Sequence, residues 1–322
     1  MRVLVTGATG LIGAGVARAV AARGDDVTVL QRRPSGLGLT EVLADIADAD
    51  AVTTAMPGHD AVIHLAARVG VTGTWADFET VNVRGTANLL AAARAADVSR
   101  FVHVSSPSVA HSGRSLVGAP AMPADPDHAR SHYSRSKGIA ERLALAADGP
   151  DLDVVAVRPH LVWGPGDRQL VGRIVDRARR GRLARIGSGA ALIDTTYIDN
   201  SIDAIVAALD RAPAVHGEAF VVSNGEPRTV AELINRICAA AGVPGPRVAV
   251  PSALARLGGA GTEAIWRITG RSDEPPITRF LAEQLATAHW FDQRRTREAL
   301  LWSPAVSLDE GFDRLEEWFA DL

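Results

Sequence analysis

Over its first 160 residues the chain alternates two kinds of apolar pattern. Short, nearly continuous apolar runs, "VLVTG" (3–7), "DVTVLQ" (26–31), "AVIHLAA" (61–67), "RFVHVSS" (100–106) and "DVVAVRP" (153–159), are rich in β-branched residues. That pattern marks strands buried on both faces. Between them lie longer alanine-rich segments with helical spacing: Ile12, Val16 and Val20 recur at i, i+4 and i+8 within 11–23, and another such segment covers 82–96. Strand, helix, strand in repetition predicts βαβ units, and so an α/β fold built on a doubly wound parallel sheet. At 322 residues the chain is long for one domain and short for two large ones, which suggests a main domain with a smaller one attached.

The turn after the first strand, "VTGATGLIG" (5–13), spaces Gly7, Gly10 and Gly13 at intervals of three. Glycines there permit a tight turn, close backbone approach to a pyrophosphate, and packing of helix on strand. The free N–H groups and positive dipole end of the following helix face the same place. A glycine triplet alone could be purely structural. The strand before it and the periodic helix after it favour a dinucleotide site on a Rossmann-type sheet. The second strand ends in Gln31, Arg32 and Arg33 rather than in the carboxylate that would bond the adenosine ribose. The G-x-x-G-x-x-G spacing resembles that of the short-chain dehydrogenase/reductase superfamily, which implies NAD or NADP as the ligand, and two guanidiniums suit a 2′-phosphate, so NADP(H) is the expected cofactor and NAD(H) the second choice.

Composition narrows the classes. Hydrophobic residues make up 47% and charged ones 22%, ordinary globular values. A formal charge of −3 and the lack of a basic block exclude a sustained nucleic-acid footprint. A single cysteine, Cys238, excludes an internal disulfide or a Cys-rich metal site. Met1 runs straight into "RVLVTG", and no run of 18 or more uncharged apolar residues occurs. The expectation is a soluble cytoplasmic protein without a leader or a spanning helix.

"YSRSK" places Tyr133 and Lys137 at i and i+4 on a helix beginning near Ser131. A phenol with a pKa near 10 is a poor base at neutral pH. A cation some ~4 Å away contributes up to about 4 kcal/mol at an effective dielectric near 20, about three pKa units, and so Lys137 is expected to lower it. "VHVSSPSV" ends the fourth strand in hydroxyl residues at its carboxyl edge, where ligands sit in open α/β sheets. "VRPHLVWGPGD" (157–167) breaks the chain with Pro159 and Pro165 just after the fifth strand. His64, His103 and His160 are far apart in sequence and lack acidic or cysteine neighbours, so no metal site is expected.

TGATGLIG, SSPSV, YSRSK and RPHLVWGPGD together resemble the extended short-chain dehydrogenases/reductases. The closer likeness is to the 3β-hydroxysteroid dehydrogenase group, which includes sterol-4-carboxylate 3-dehydrogenases and bacterial reductases of 2-alkyl-3-oxo acids. "TTYIDNSIDAIVAAL" (195–209), "AFVVSNGEPRTVAELINRI" (219–237) and 274–300 continue that likeness over nearly the whole chain. The resemblance implies residues 1–165 as the cofactor domain, with 190–224 returning to it, and 166–322 as mainly a smaller substrate domain. It implies Ser106 as the catalytic hydroxyl, with Ser108 the fallback and Ser105 third. Tyr133 would move the proton, and Lys137 would hold the nicotinamide ribose. Cofactor contacts implied in the same way are Thr9, Leu11 and Ile12 in the glycine turn, Asp45 and Ile46 at the adenine, Ala66, Ala67 and Asn82 further on, and Pro159 and His160 beside the nicotinamide.

The implied reaction is hydride exchange between a nicotinamide and a secondary alcohol or ketone carried on a bulky hydrophobic small molecule. Gln31, and Ala110-His111 in place of Tyr-Gly, point away from a sugar-nucleotide epimerase, which stays as the alternative, with a non-catalytic nucleotide-binding protein third. Leu254, Leu257, Ile265, Trp266 and Ile268 read equally as a pocket wall or as simple packing, and Arg168, Arg173 and Arg185 as carboxylate ligands or surface arginines. A homodimer through the helices near 82–96 and 131–147 would be usual for the superfamily.

Overall fold

The computed structural model describes residues 1–70, 72–111, 113–269 and 286–322. Seven parallel strands form the central sheet, in the order Ala219–Val222, Asp153–Pro159, Arg100–Val104, Ala61–His64, Arg2–Thr6, Asp26–Gln31, Thr40–Leu43. From Arg2–Thr6 the chain winds outward to one edge, returns, and then winds to the other. The reversal opens a crevice between Arg2–Thr6 and Ala61–His64 at their carboxyl ends, where open sheets bind ligands.

Because side chains alternate along a strand, the sheet has two apolar faces. Val3, Val5, Val29, Ile63, Val102 and Val155 face one side, under the helices Leu11–Ala22 and Ile198–Val215. Leu4, Leu30, Val62, Phe101 and Val154 face the other, under Gly85–Ala95 and His132–Ala146. A third core lies apart from the sheet and joins Trp163, Val175, Tyr197, Leu233, Ile237, Phe312 and Leu315, with Trp163 stacked on Phe312 at 4.4 Å between ring centroids. Ala299, Leu300 and Trp302 belong to the first core, so the chain returns to the sheet once more beyond residue 224.

Several local differences from the sequence reading matter for the site. The runs expected to continue as strands to 67 and 106 stop at His64 and Val104, and the remaining residues form loops at the carboxyl edge. Thr40–Leu43, an edge strand half open to solvent, lacks the continuous apolar signature and was not predicted. The helix expected from Asn82 starts earlier, at Trp75, and passes through a π-helical stretch, Glu79–Arg84, before Gly85–Ala95. Within 274–300, residues 274–285 lie outside the described residues, while His289–Phe291 is a strand paired parallel with Leu116–Ala119. Among the described residues no helix is long and apolar enough to cross a membrane.

Candidate active site

A cavity of about 690 Å³ runs along the carboxyl edge of the sheet. Its lining extends from Gln31, Arg32, Asp45 and Ile46, past Gly7, Thr9, Gly10, Leu11, Ile12 and Gly13, to Ala66 and Ala67. From there it reaches Ser106, Tyr133, Lys137, Pro159 and His160. Gln31 and Pro159 end strands four positions apart in the sheet. At ~4.8 Å per strand they stand about 19 Å apart, a span suited to an extended dinucleotide.

The glycine turn separates what the fold needs from what a ligand needs. Gly7 has φ +80°, and a Cβ there would come within 2.7 Å of the Ala66 backbone nitrogen. At Gly13 it would lie 2.2 Å from the Gly7 carbonyl oxygen. The protein's own packing therefore requires both. Gly10 differs: its φ of −85° and ψ of 158° suit any residue, and a Cβ would meet only the Gly7 oxygen at 3.4 Å. Nothing in the fold demands glycine at position 10, whereas a pyrophosphate lying against that backbone would.

Gln31, almost fully buried, donates from Nε2 to Glu41 at 3.3 Å, while its Oε1 has no partner. A buried acceptor left unpaired costs about 1–3 kcal/mol, and a ribose hydroxyl would satisfy it. Arg32 reaches the cavity and lies 3.8 Å from Asp45. Arg33 is exposed and outside the lining, so only one of the two arginines expected at a 2′-phosphate faces the cavity. Asn82 is also outside it. Its side chain accepts from the Arg68 N–H at 2.7 Å and donates to the Arg68 carbonyl and to Ser136 Oγ, so Asn82 braces the wall while its neighbour Val81 is the residue of the π-helical stretch that lines the cavity.

Ser131 caps the helix His132–Ala146 by accepting from the Ser134 N–H, which fixes the first turn where Tyr133 sits. Tyr133 and Ser106 line the same stretch of the cavity, near enough for the serine hydroxyl to influence the phenol. Ser106 also accepts from the Ser108 N–H at 3.3 Å and lies 3.0 Å from Ser108 Oγ. Ser105 Oγ is buried without a partner. Lys137 Nζ donates to the Val104 carbonyl at 2.7 Å, with His103 Nε2 at 3.5 Å.

Two pKa shifts depart from the sequence reading. Burial raises Tyr133 above its ordinary value near 10, partly offset by the neighbouring Ser106 hydroxyl, so the expected lowering by Lys137 does not dominate. Burial also lowers Lys137 to about 8, against the attraction of Glu141. The physical reason is shared: both groups sit in an apolar wall, and Lys137 is turned towards a backbone carbonyl of the sheet.

A family model described as the NAD dependent epimerase/dehydratase family matches residues 3–223. The chain belongs to that family. A 2-alkyl-3-oxoalkanoate reductase from Stenotrophomonas maltophilia is 41% identical, with 98% of each chain covered. A second protein of that name, from Shewanella oneidensis, is 37% identical over 97% of this chain and 84% of its own length. Among solved structures, MoeE5 in complex with UDP-glucose and NAD superposes with a TM-score of 0.76 at 26% identity, covering 100% of this chain and 99% of that one.

In this family member the far end of the cavity holds residues that sequence reasoning missed: His111, Leu116, His289 and Phe291. Parallel pairing of Leu116–Ala119 with His289–Phe291 brings them together across more than 170 positions, a contact no local pattern announces. Leu161, in the left-handed region at φ +42°, follows His160 and also lines the cavity. Arg168, Arg173 and Arg185 do not line it. Neither do Leu254 and Leu257, which are exposed, while the side chains of Ile265, Trp266 and Ile268 lie outside the described residues. Of the core histidines, His64 is bonded at both ring nitrogens, to Thr6 and Thr86, whereas His103 Nδ1 has no partner. Among the described residues no group of three His, Cys, Asp or Glu is placed to hold a metal.

Proposed function

We propose that this chain is an NADPH-dependent reductase of 2-alkyl-3-oxo acids or similarly bulky hydrophobic β-keto acids. The coarser statement rests on the relatives: it is an NAD(P)-dependent oxidoreductase interconverting an alcohol and a ketone on a hydrophobic molecule. The observation that carries the finer reading is that Tyr133 and Ser106 line one cavity, set between a dinucleotide-length groove and a substrate end walled by Leu116, Leu161 and Phe291.

Gly10, the unpaired Gln31 Oε1 and the length of the groove fit the cofactor. When bound, it supplies a hydride from C4 of its nicotinamide. Arg32 at the adenosine end supports NADPH over NADH. Tyr133, kept protonated at neutral pH by burial, gives its proton to the substrate oxygen as negative charge gathers there. Ser106 places a second hydrogen bond on that oxygen. Lys137, anchored on Val104, stands one helical turn from Tyr133 and would hold the cofactor's ribose hydroxyls with its remaining protons.

The finer reading includes a cytoplasmic homodimer, for which Leu143, apolar and exposed on the helix His132–Ala146, is a natural contact. Sedimentation velocity on a Leu143→Glu variant checks it. For the reaction, NADPH oxidation is followed with 2-alkyl-3-oxo acids, 3-ketosteroids, simple ketones and UDP-sugars. The proposal expects the oxo acids to give the highest kcat/KM. Activity confined to UDP-sugars, without net NADPH consumption, would overturn it and favour the epimerase alternative.

A further inference from the structure

We infer that Leu161 sets the preference for a bulky alkyl chain beside the reacting carbonyl, an assignment that rests on the β-keto-acid reading above. Among the described residues three non-glycines have positive φ: Asp97 at 56°, Leu161 at 42° and Leu301 at 49°. Two of them close helices, where a left-handed residue is ordinary. The Asp97 N–H donates to the Arg94 carbonyl just past the helix Gly85–Ala95, and the Leu301 N–H to the Arg297 carbonyl at the end of the helix Arg294–Leu300. Leu161 closes no helix. It stands between the strands Asp153–Pro159 and Val162–Trp163, where positive φ sets a leucine's Cβ against the following carbonyl oxygen and costs glycine nothing.

Bonds that do not involve the leucine side chain hold this turn. The His160 N–H donates to the Val222 carbonyl at 2.9 Å, and the Thr196 N–H donates to the Leu161 carbonyl at 3.4 Å. Thr196 Oγ1 donates to the His160 carbonyl at 2.8 Å, and Val162 pairs with Thr196. With both flanks pinned, glycine at 161 would serve the fold, and the same loop does use glycine at 166, where φ is +80°. Packing does not explain the leucine either. Leu161 is 37% exposed, whereas Trp163, two positions on, is 1% exposed and stacked in the third core.

What Leu161 does face is the cavity, which it lines together with Pro159, His160 and Val162. The His160 ring meets the Phe291 ring edge to face with centroids 5.0 Å apart, which ties this turn to the apolar substrate end rather than to the adenosine end. Leu161 and Ser106 also leave neighbouring strands at the same edge: Val157 pairs with Val104, and the Ser105 N–H donates to the Val157 carbonyl at 2.7 Å. A chain attached to a ketone held at Ser106 therefore runs past Leu161. A strained leucine kept on a cavity wall, and left partly open by its own protein, is a surface for a ligand's apolar chain.

The test compares two 2-alkyl-3-oxo acids, one with long alkyl chains on both sides of the ketone and one with methyl groups only. For Leu161→Gly the ratio of kcat/KM, long over short, is expected to fall about 10- to 100-fold, the range of a lost apolar contact in a pocket. Leu161→Met keeps the apolar bulk and should retain most of the ratio; Leu161→Asn suits a left-handed backbone but is polar, and should lose it. The midpoint of urea unfolding for Leu161→Gly should not fall, because relief at positive φ offsets glycine's greater freedom in the unfolded chain. Its Kd for NADPH should stay within about twofold. A lowered midpoint with equal losses on both acids would mean a packing role and overturn the inference. So would a rise in Kd for NADPH as large as the fall in the ratio, which would make Leu161 a cofactor contact. If unmodified protein reduces neither acid, the proposed function itself fails; if it reduces both and Leu161→Gly keeps their ratio, only the Leu161 assignment fails.

Discussion

Replacing Gly10 by Ala should make the protein more stable and its cofactor binding weaker. The backbone at position 10 has φ −85° and ψ 158°, open to alanine, and the added methyl would touch only the Gly7 oxygen at 3.4 Å. Removing glycine's freedom in the unfolded chain where the native geometry is compatible stabilises by about 0.4–1 kcal/mol. The same methyl would occupy space that a bound pyrophosphate needs, and overpacking of that kind costs about 1–3 kcal/mol. At 1.4 kcal/mol per decade, Kd for NADPH rises about 5- to 150-fold. Urea denaturation of the free protein and fluorescence titration with NADPH read the two effects separately. The companion Gly13→Ala has its Cβ 2.2 Å from the Gly7 oxygen and should lose stability outright. If Gly10→Ala bound NADPH as tightly as the unmodified protein, the claim that the ligand, not the fold, requires this glycine would be refuted. Destabilisation beyond about 1 kcal/mol would refute it equally.

Tyr133→Phe should lower kcat by at least about 10²-fold while NADPH affinity changes little, since only the proton donor is lost; steady-state kinetics and titration check both. Lys137, lowered by burial to about 8, loses its charge as pH rises through that value. NADPH affinity should therefore be steady below about pH 7 and fall above pH 8, and Lys137→Met should flatten the profile. Glu141 and Arg158 form an ion pair with each side chain 1% exposed, joined by Nε to Oε2 at 2.8 Å. Glu141→Gln leaves the guanidinium without its counter-charge and should cost about 3–5 kcal/mol in denaturant unfolding.

Much of this architecture was legible because buried parallel strands write themselves as continuous apolar runs. "VLVTG", "DVTVLQ" and "DVVAVRP" lie within a residue of the strands Arg2–Thr6, Asp26–Gln31 and Asp153–Pro159. Thr40–Leu43 was silent because an edge strand needs no such run. The glycine turn, Ser106, Tyr133 and Lys137 were readable because each stands in a local motif beside a strand end or on a helix, and all of them reach one cavity. The direction of the Tyr133 shift was not, since i, i+4 spacing says that two groups are neighbours, not that one of them turns towards Val104. Asn82 and Arg33 share the motif strings but not the cavity, because side-chain direction is set by the π-helical stretch and by the loop after Gln31. His111 and His289 carry no local signal at all; their meeting is a product of strand pairing.

The central claim is that Tyr133 serves net hydride transfer to a ketone, and isotopic labelling tests it most directly. With NADPH deuterated at the transferring C4 position and a 2-alkyl-3-oxo acid, the account predicts one deuterium at the carbinol carbon of the 3-hydroxy product with unmodified protein, and incorporation slowed at least about 10²-fold with Tyr133→Phe. Label remaining in the cofactor after substrate turnover, or equally fast incorporation by the Phe variant, would contradict it.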